Sequence, residues 1–256
     1  TSQKLKTLYN MKIDRVYVIT MDMSDEYKDE LFERVLNLPL PSNTPVEFKQ
    51  GFPGKDLLER PEDFPEYRIY PHWNLNNPEG WWWWQRPALS GEAGGMISHT
   101  MCWQDAYENG YENIMIIEDD FTVEEPIDWG IFNELDGYEW DLCLMAHNSL
   151  HEHFSDIMKP LNIGREHFIR PTFFYNTHTY ILSSGGIKKL VEDHLDVLKQ
   201  NIIVSDEFLS AVTSSHPRPD LREMYITNMS AVATKVNYTG QTRSEGLGNS
   251  LTETEK

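Results

Sequence analysis

Cysteine is scarce here: Cys102 and Cys143 are the only two in 256 residues. Two thiols build neither a disulfide framework nor a cysteine-rich zinc cluster. Long apolar runs are also missing, and none approaches the roughly 18 residues that a membrane-spanning helix needs. Basic residues are few, 22 Lys and Arg against 41 Asp and Glu, which leaves a formal charge of −19. A surface of that sign repels phosphate backbones and anionic lipid, which argues against nucleic acid and membrane surfaces as partners. It suits divalent cations and a basic acceptor. Neither a G-x-G-x-x-G nor a Walker pattern occurs. Ser98 and Asp206 stand at no telling spacing from a histidine, so a hydrolase triad has no support.

A core, by contrast, is well supplied. Hydrophobic residues make up 39% and aromatics 12% of the chain, enough for one packed domain. Arg15–Thr20, rich in β-branched and aromatic residues, predicts a buried strand. Ser24 or Asp25 caps a helix through about Asn37, with Tyr27, Leu31, Val35 and Leu38 at helical spacing. This β-then-α opening starts a doubly wound unit. Residues 46–50 read as a second strand, and 51–90 as a long functional loop rich in Pro, Gly, Asn and Trp. That loop contains Trp81–Trp84, whose side chains diverge too far for all four to point inward.

Ser90 opens a helix to about Asn109, with Gly110 as its stop. Asn113–Ile117, Trp140–Ala146 and Thr179–Leu182 read as further buried strands. The last feeds a helix over Ser184–Gln200, and Val204–Leu209 opens a shorter one. The fold class expected is α/β, one domain around a central, mostly parallel sheet. Residues 1–12 read as the cut edge of a longer polypeptide or a linker, 13–238 as the domain, and 239–256 as a polar, mobile tail.

Three segments carry chemistry. Ile116-Ile-Glu-Asp-Asp-Phe121 sets Glu118, Asp119 and Asp120 at the end of a buried strand, where α/β sheets bind ligands. Hard oxygen ligands there suit Mg²⁺ or Mn²⁺ bridging to a diphosphate. An ordinary acidic turn after a strand is the competing reading. Ser90-Gly-Glu-Ala-Gly-Gly-Met-Ile-Ser-His99 offers small residues and a helix start for an anion, but tight helix–sheet packing explains the glycines at least as well. Ser205-Asp-Glu207 places two acids at a helix start, which the helix dipole favours for structural reasons alone. As a functional pair they would supply a general base. His178 and His216 are candidate metal or phosphate contacts, against the reading of each as a structural or surface histidine.

Taken in order, Val16–Thr20, Ser90–His99 with Trp103, Ile116–Asp120, Trp140-Asp-Leu142, Thr179–Ser183 with Gly185 and Lys189, Asp206–Leu209 and the tail Asn249–Glu255 resemble glycosyltransferase family 25. The resemblance runs over about 13–255, with departures at Thr20-Met21 and at Gly94-Gly95. It implies a GT-A-like, Rossmann-type fold and an inverting transfer, most often of galactose. The implied donor is a UDP-sugar and the acceptor a hydroxyl of a collagen-like polypeptide or a glycan. It implies Mn²⁺ (or Mg²⁺) on Asp120 with Asp119, and Glu118 facing the ribose. Ser98, His99 and Thr20 become candidate donor contacts, and Asp206 the base with Glu207 as the fallback.

Overall fold

The computed structural model describes residues 11–73, 86–147, 159–214 and 216–242. The Trp81–Trp84 run, residues 1–10 and the tail beyond Thr242 lie outside the described residues. In chain order the first elements are β1 (Arg15–Thr20), α1 (Asp25–Leu36), β2 (Val46–Gln50) and α2 (Gly54–Glu59). Then come α3 (Ser90–Glu108), β3 (Asn113–Glu118), β4 (Phe121–Val123), β5 (Leu142–Leu144), β6 (Leu161–Asn162) and β7 (Phe168–Arg170). The chain continues through β8 (Thr179–Ser183), α4 (Ser184–Lys189), α5 (Leu195–Lys199), α6 (Ser205–Thr213), α7 (Pro219–Met224), β9 (Ala231–Thr234) and β10 (Thr239–Gln241). A wider π turn over Leu190–His194 joins α4 to α5, so the helix expected over 184–200 is continuous but locally unwound. No helix among the described residues is long and apolar enough to cross a membrane.

Eight strands form one sheet in the order β2-β1-β3-β8-β5-β9-β7-β6. Only β8 and β7 run against the rest, so the sheet is mostly parallel, as its β-branched, doubly buried strands predict. Strand pleating divides the core in two. Tyr17, Ile114, Ile116, Tyr180 and Leu182 face the layer that holds α3 and α6, while Val16, Val18, Met115, Ile117 and Ile181 face α1. Each fully buried Leu or Ile contributes about 1.5–3 kcal/mol. The two cysteines are buried and free, one in each layer.

Sequence signals place several joints correctly. Ser24 caps α1 through its hydroxyl, which accepts the Tyr27 N–H at 3.4 Å. Gly110 ends α3 at φ +66°, a left-handed position that glycine adopts without strain. Asp141, buried at the foot of β5, accepts from Lys189 Nζ at 2.7 Å and the Ser230 N–H at 2.8 Å. A Cβ on Gly186 would lie 2.3 Å from the Asp141 carbonyl oxygen. The Trp140-Asp-Leu142, Gly185 and Lys189 pattern is therefore a structural anchor between the sheet and α4.

Other joints differ from expectation. The long loop over 51–90 contains α2, which crosses α3 so closely that a Cβ on Gly94 would sit 2.5 Å from the Phe52 carbonyl oxygen. Tight packing thus accounts for Gly94. The domain boundary expected at 238 moves outward, because β10 pairs with β4 and the packed fold reaches at least Thr242. It also reaches inward of residue 13, since Met11 is buried. These edges were illegible because β10 reads Thr-Gly-Gln, without apolar periodicity, and gains its order from a ladder formed with residues more than a hundred positions away.

Gly94 and Gly95 give a clean contrast. A Cβ on Gly95 would meet nothing within 4 Å. Gly94→Ala should cost about 2 kcal/mol or more by overpacking, whereas Gly95→Ala should be neutral or stabilise by up to about 1 kcal/mol through helix propensity. Urea unfolding of both variants checks this; equal midpoints would contradict the close crossing.

Candidate active site at the carboxyl edge of the sheet

β1 and β3 lie side by side and parallel, with Ile19 opposite Glu118. Thr20 therefore ends one strand where Glu118, Asp119 and Asp120 end the next. The Asp119 N–H donates to the Ile19 carbonyl at 3.1 Å, and the Glu118 N–H to the His178 carbonyl at 2.8 Å. The pleat then separates the carboxylates. Glu118 continues the face that looks at α3, and Asp119 the face that looks at α1. The three acids do not converge on one point.

Glu118 is held from behind. Its Oε1 lies 3.0 Å from His99 Nε2, while His99 Nδ1 lies 2.8 Å from the Tyr180 hydroxyl. Trp103 Nε1 donates to that same hydroxyl at 3.0 Å. Because the indole only donates, the Tyr180 hydroxyl is free to donate its hydrogen bond to His99 Nδ1, and His99 then donates from Nε2 to Glu118. Burial keeps the Tyr180 phenol far above its usual range, which preserves it as a donor. His99 is thus buried behind Glu118. Ser98 is committed elsewhere: its hydroxyl accepts the Phe52 N–H at 2.8 Å and donates to the Gly94 carbonyl at 2.7 Å.

Asp119 is the unusual member. It is 4% exposed, and its Oδ2 is buried without a partner among the described residues. Burial, helped by the Glu118 charge, raises its carboxyl to about 6; the Thr20 hydroxyl, Arg34 and the Met21 N–H oppose the rise. Thr20 so belongs to the site as a support for Asp119. Asp120 is half-buried on the same turn, with Gln241 Nε2 at 3.4 Å from its Oδ1. A buried carboxylate oxygen lacking a donor, next to a second carboxylate, fits a divalent cation held by Asp119 and Asp120. Among the described residues, a separate group of acids and histidine converges elsewhere: Glu134, Glu166 and His167 bring ligand atoms within 4.8 Å of one another. There the Glu134 carboxylate already accepts the His167 N–H at 3.0 Å and the His167 ring.

The α6 start reaches the same edge. Thr177 Oγ1 lies 3.1 Å from Ser205 Oγ, and Thr177 directly precedes His178, which binds the Glu118 N–H. Asp206 is half-buried in the first turn of α6 and accepts the Glu207 N–H at 2.9 Å. Glu207 points into the core instead, 1% exposed, accepting from the Tyr175 hydroxyl at 2.8 Å and bonded to buried His216. His216 Nδ1 accepts the Arg218 N–H, so its proton sits on Nε2, facing Glu207. Both oxygens of Glu207 are engaged in packing α6. Sequence reading missed Tyr180 and Arg34; a tyrosine inside an apolar strand is a usable signal of a buried polar partner, whereas Arg34 looks like any basic residue in a last helical turn.

Comparisons with known proteins bear on the family of the chain. The sequence profile described as Glycosyltransferase family 25 (LPS biosynthesis protein) matches residues 13–209. An Aedes aegypti protein named "Glycosyltransferase 25 family member" is 24% identical over 211 residues, 81% of this chain and 32% of that protein. A Bos taurus protein, "Probable inactive glycosyltransferase 25 family member 3", is 25% identical over 52% of this chain and 22% of its own length. A Danio rerio protein, "Procollagen galactosyltransferase 1", is 27% identical over 52% of this chain and 22% of its own length. The chain spans about a third or less of the length of these relatives.

Asp119 makes a stability prediction. Its folded value lies above that of an unfolded aspartate, so between about pH 4 and 6 the native state holds more protons and stability falls as pH rises. The penalty above pH 6 is at most about 3 kcal/mol. In chelator, Asp119→Asn should be more stable than wild type at pH 7.5, and the difference should shrink on acidification to pH 4.5. Parallel pH–melting profiles for the two proteins would contradict this.

Proposed function

The chain belongs to glycosyltransferase family 25, and from that premise we propose that it is a metal-dependent, inverting hexosyltransferase. Its donor is a UDP-sugar, galactose first, and its acceptor a hydroxyl on a collagen-like polypeptide or a glycan. The observation that carries this reading is the buried Asp119 Oδ2, which no described residue serves, beside Asp120 at the strand end. A Danio rerio relative whose name specifies procollagen and galactose supports the sugar and the acceptor. The net charge of −19 adds electrostatic attraction for a Lys-rich acceptor.

In this reading Asp119 and Asp120 hold Mn²⁺ or Mg²⁺, which when bound supplies Lewis-acid stabilisation of the departing diphosphate. Glu118, steadied by His99, Tyr180 and Trp103, faces the ribose hydroxyls. The acceptor hydroxyl attacks the anomeric carbon from the face opposite the diphosphate, so configuration inverts. Asp206 takes the hydroxyl proton as the new C–O bond forms and the bond to the diphosphate breaks. The first turn of α6 favours the anionic form of such a side chain. Glu207, expected as the fallback base, is the poorer candidate because Tyr175 and His216 engage both its oxygens.

Two experiments test the reading. UDP should raise the melting temperature only with Mn²⁺ present, the stabilisation reaching about 2.7 kcal/mol at a hundredfold excess over Kd. An equal shift in chelator would contradict metal bridging. In a UDP-release assay with a panel of UDP-sugars and a collagen-like peptide, Asp206→Asn should keep donor binding and lower transfer by about 10²-fold or more. Glu207→Gln should chiefly lower thermal stability. A wild-type protein that binds UDP and Mn²⁺ yet turns over no donor would instead place it with non-catalytic members of the family.

A further inference from the structure

The acidic turn is gripped through its backbone by two segments from opposite ends of the sequence. On one side stands Arg34, in the last turn of α1. Its Nη1 donates to the Asp119 carbonyl at 2.9 Å and to the Phe121 carbonyl at 3.1 Å. The guanidinium carbon sits 5.5 Å from the Phe121 ring centroid, and Nη2 donates to Glu30 at 2.7 Å. On the other side, β10 brings up Gln241 and Thr242. The Thr242 N–H donates to the Asp120 carbonyl at 2.9 Å and its hydroxyl to the same oxygen at 3.2 Å, while Gln241 Nε2 approaches the Asp120 carboxylate itself. Three consecutive carbonyls, 119, 120 and 121, are thus each fixed by a side chain or a neighbouring strand.

The chemistry of the turn gives this grip a purpose. Peptide oxygens carry partial negative charge, and here they lie on the same turn as the Asp119 and Asp120 carboxylates, with the Glu118 charge already bearing on Asp119. Donors on all three carbonyls offset that field and fix the peptide planes from which Asp119 and Asp120 project. Cation sites need their ligands held to a fraction of an ångström, and the groups behind the ligands supply that constraint.

We propose that Arg34 and the Gln241–Thr242 pair are positioning residues for the metal-binding turn. Cation affinity then depends on a ribbon lying beyond residues 13–209, the stretch that matches the family profile. The inference rests on the metal reading of Asp119 and Asp120. A purely structural role would lower melting temperature and leave cation affinity alone.

The test is Mn²⁺ affinity, read by electron paramagnetic resonance in the presence of UDP, on wild type, Arg34→Met, Arg34→Lys, Gln241→Leu and Thr242→Val. Melting temperature in chelator is recorded beside it. Arg34→Met and Gln241→Leu should weaken Mn²⁺ binding by about tenfold. Arg34→Lys, which keeps one donor, should recover part of the loss, and Thr242→Val, which keeps its N–H, should lose least. Should Arg34→Met fail to fold, the variants of half-buried Gln241 and exposed Thr242, Gln241→Leu and Thr242→Val, carry the comparison. Variants that melt earlier but bind Mn²⁺ like wild type would overturn the proposal while sparing the metal reading. A wild-type protein that binds no Mn²⁺ would overturn both.

Discussion

Glu118, Asp119 and Asp120 follow one another at the end of a buried strand, and their mutual repulsion is the constraint that the surrounding structure answers. The pleat of β3 meets it first by turning Glu118 toward α3 and Asp119 toward α1. Two environments result. Glu118 is hydrogen-bonded to the end of a buried chain of donors and is fixed while partly exposed. Asp119 is buried and left with an oxygen that no described residue serves. A fold that leaves such an atom unsatisfied holds a local instability, and those cluster where ligands bind.

The rest of the site serves this arrangement. Tyr180 and Trp103 fix the tautomer of His99 so that its proton faces Glu118. Thr20 and Arg34 support the charged form of Asp119 without fully offsetting its burial. Asp141 with Lys189 pins α4 to the sheet, and buried Arg218 with Asp220 ties the carbonyls of His72 and Trp73 to α7. Glu207 and His216 lock the core side of α6, which leaves Asp206 on its outer turn.

How much of this was legible in the sequence follows from the range of each interaction. β1, α1, α3, β3 and β8 announce themselves through local periodicity and caps, and the strand-end acids through their position. Gly94 was ambiguous because a small residue serves a ligand and a helix crossing equally; only the Phe52 carbonyl opposite decides it. Ser98 looked like a donor contact and is spent on the α2–α3 crossing. Glu207 looked like a spare base and is core, because sequence spacing gives the angle between neighbours on a helix but not which neighbour faces inward. Arg34, Gln241 and Thr242 carry no local signal, since their partners lie far along the chain. Family membership, in turn, supports glycosyl transfer as the chemistry proposed and leaves the sugar and the acceptor to experiment.

The central claim is that Asp119 and Asp120 together hold a divalent cation. The most direct measurement is an anomalous difference map, recorded near the manganese absorption edge, from crystals grown with UDP and Mn²⁺. The account predicts one strong peak about 2.2 Å from carboxylate oxygens of Asp119 and Asp120, next to the diphosphate. UDP bound with no peak there, or a peak confined to Glu134, Glu166 and His167, would contradict it.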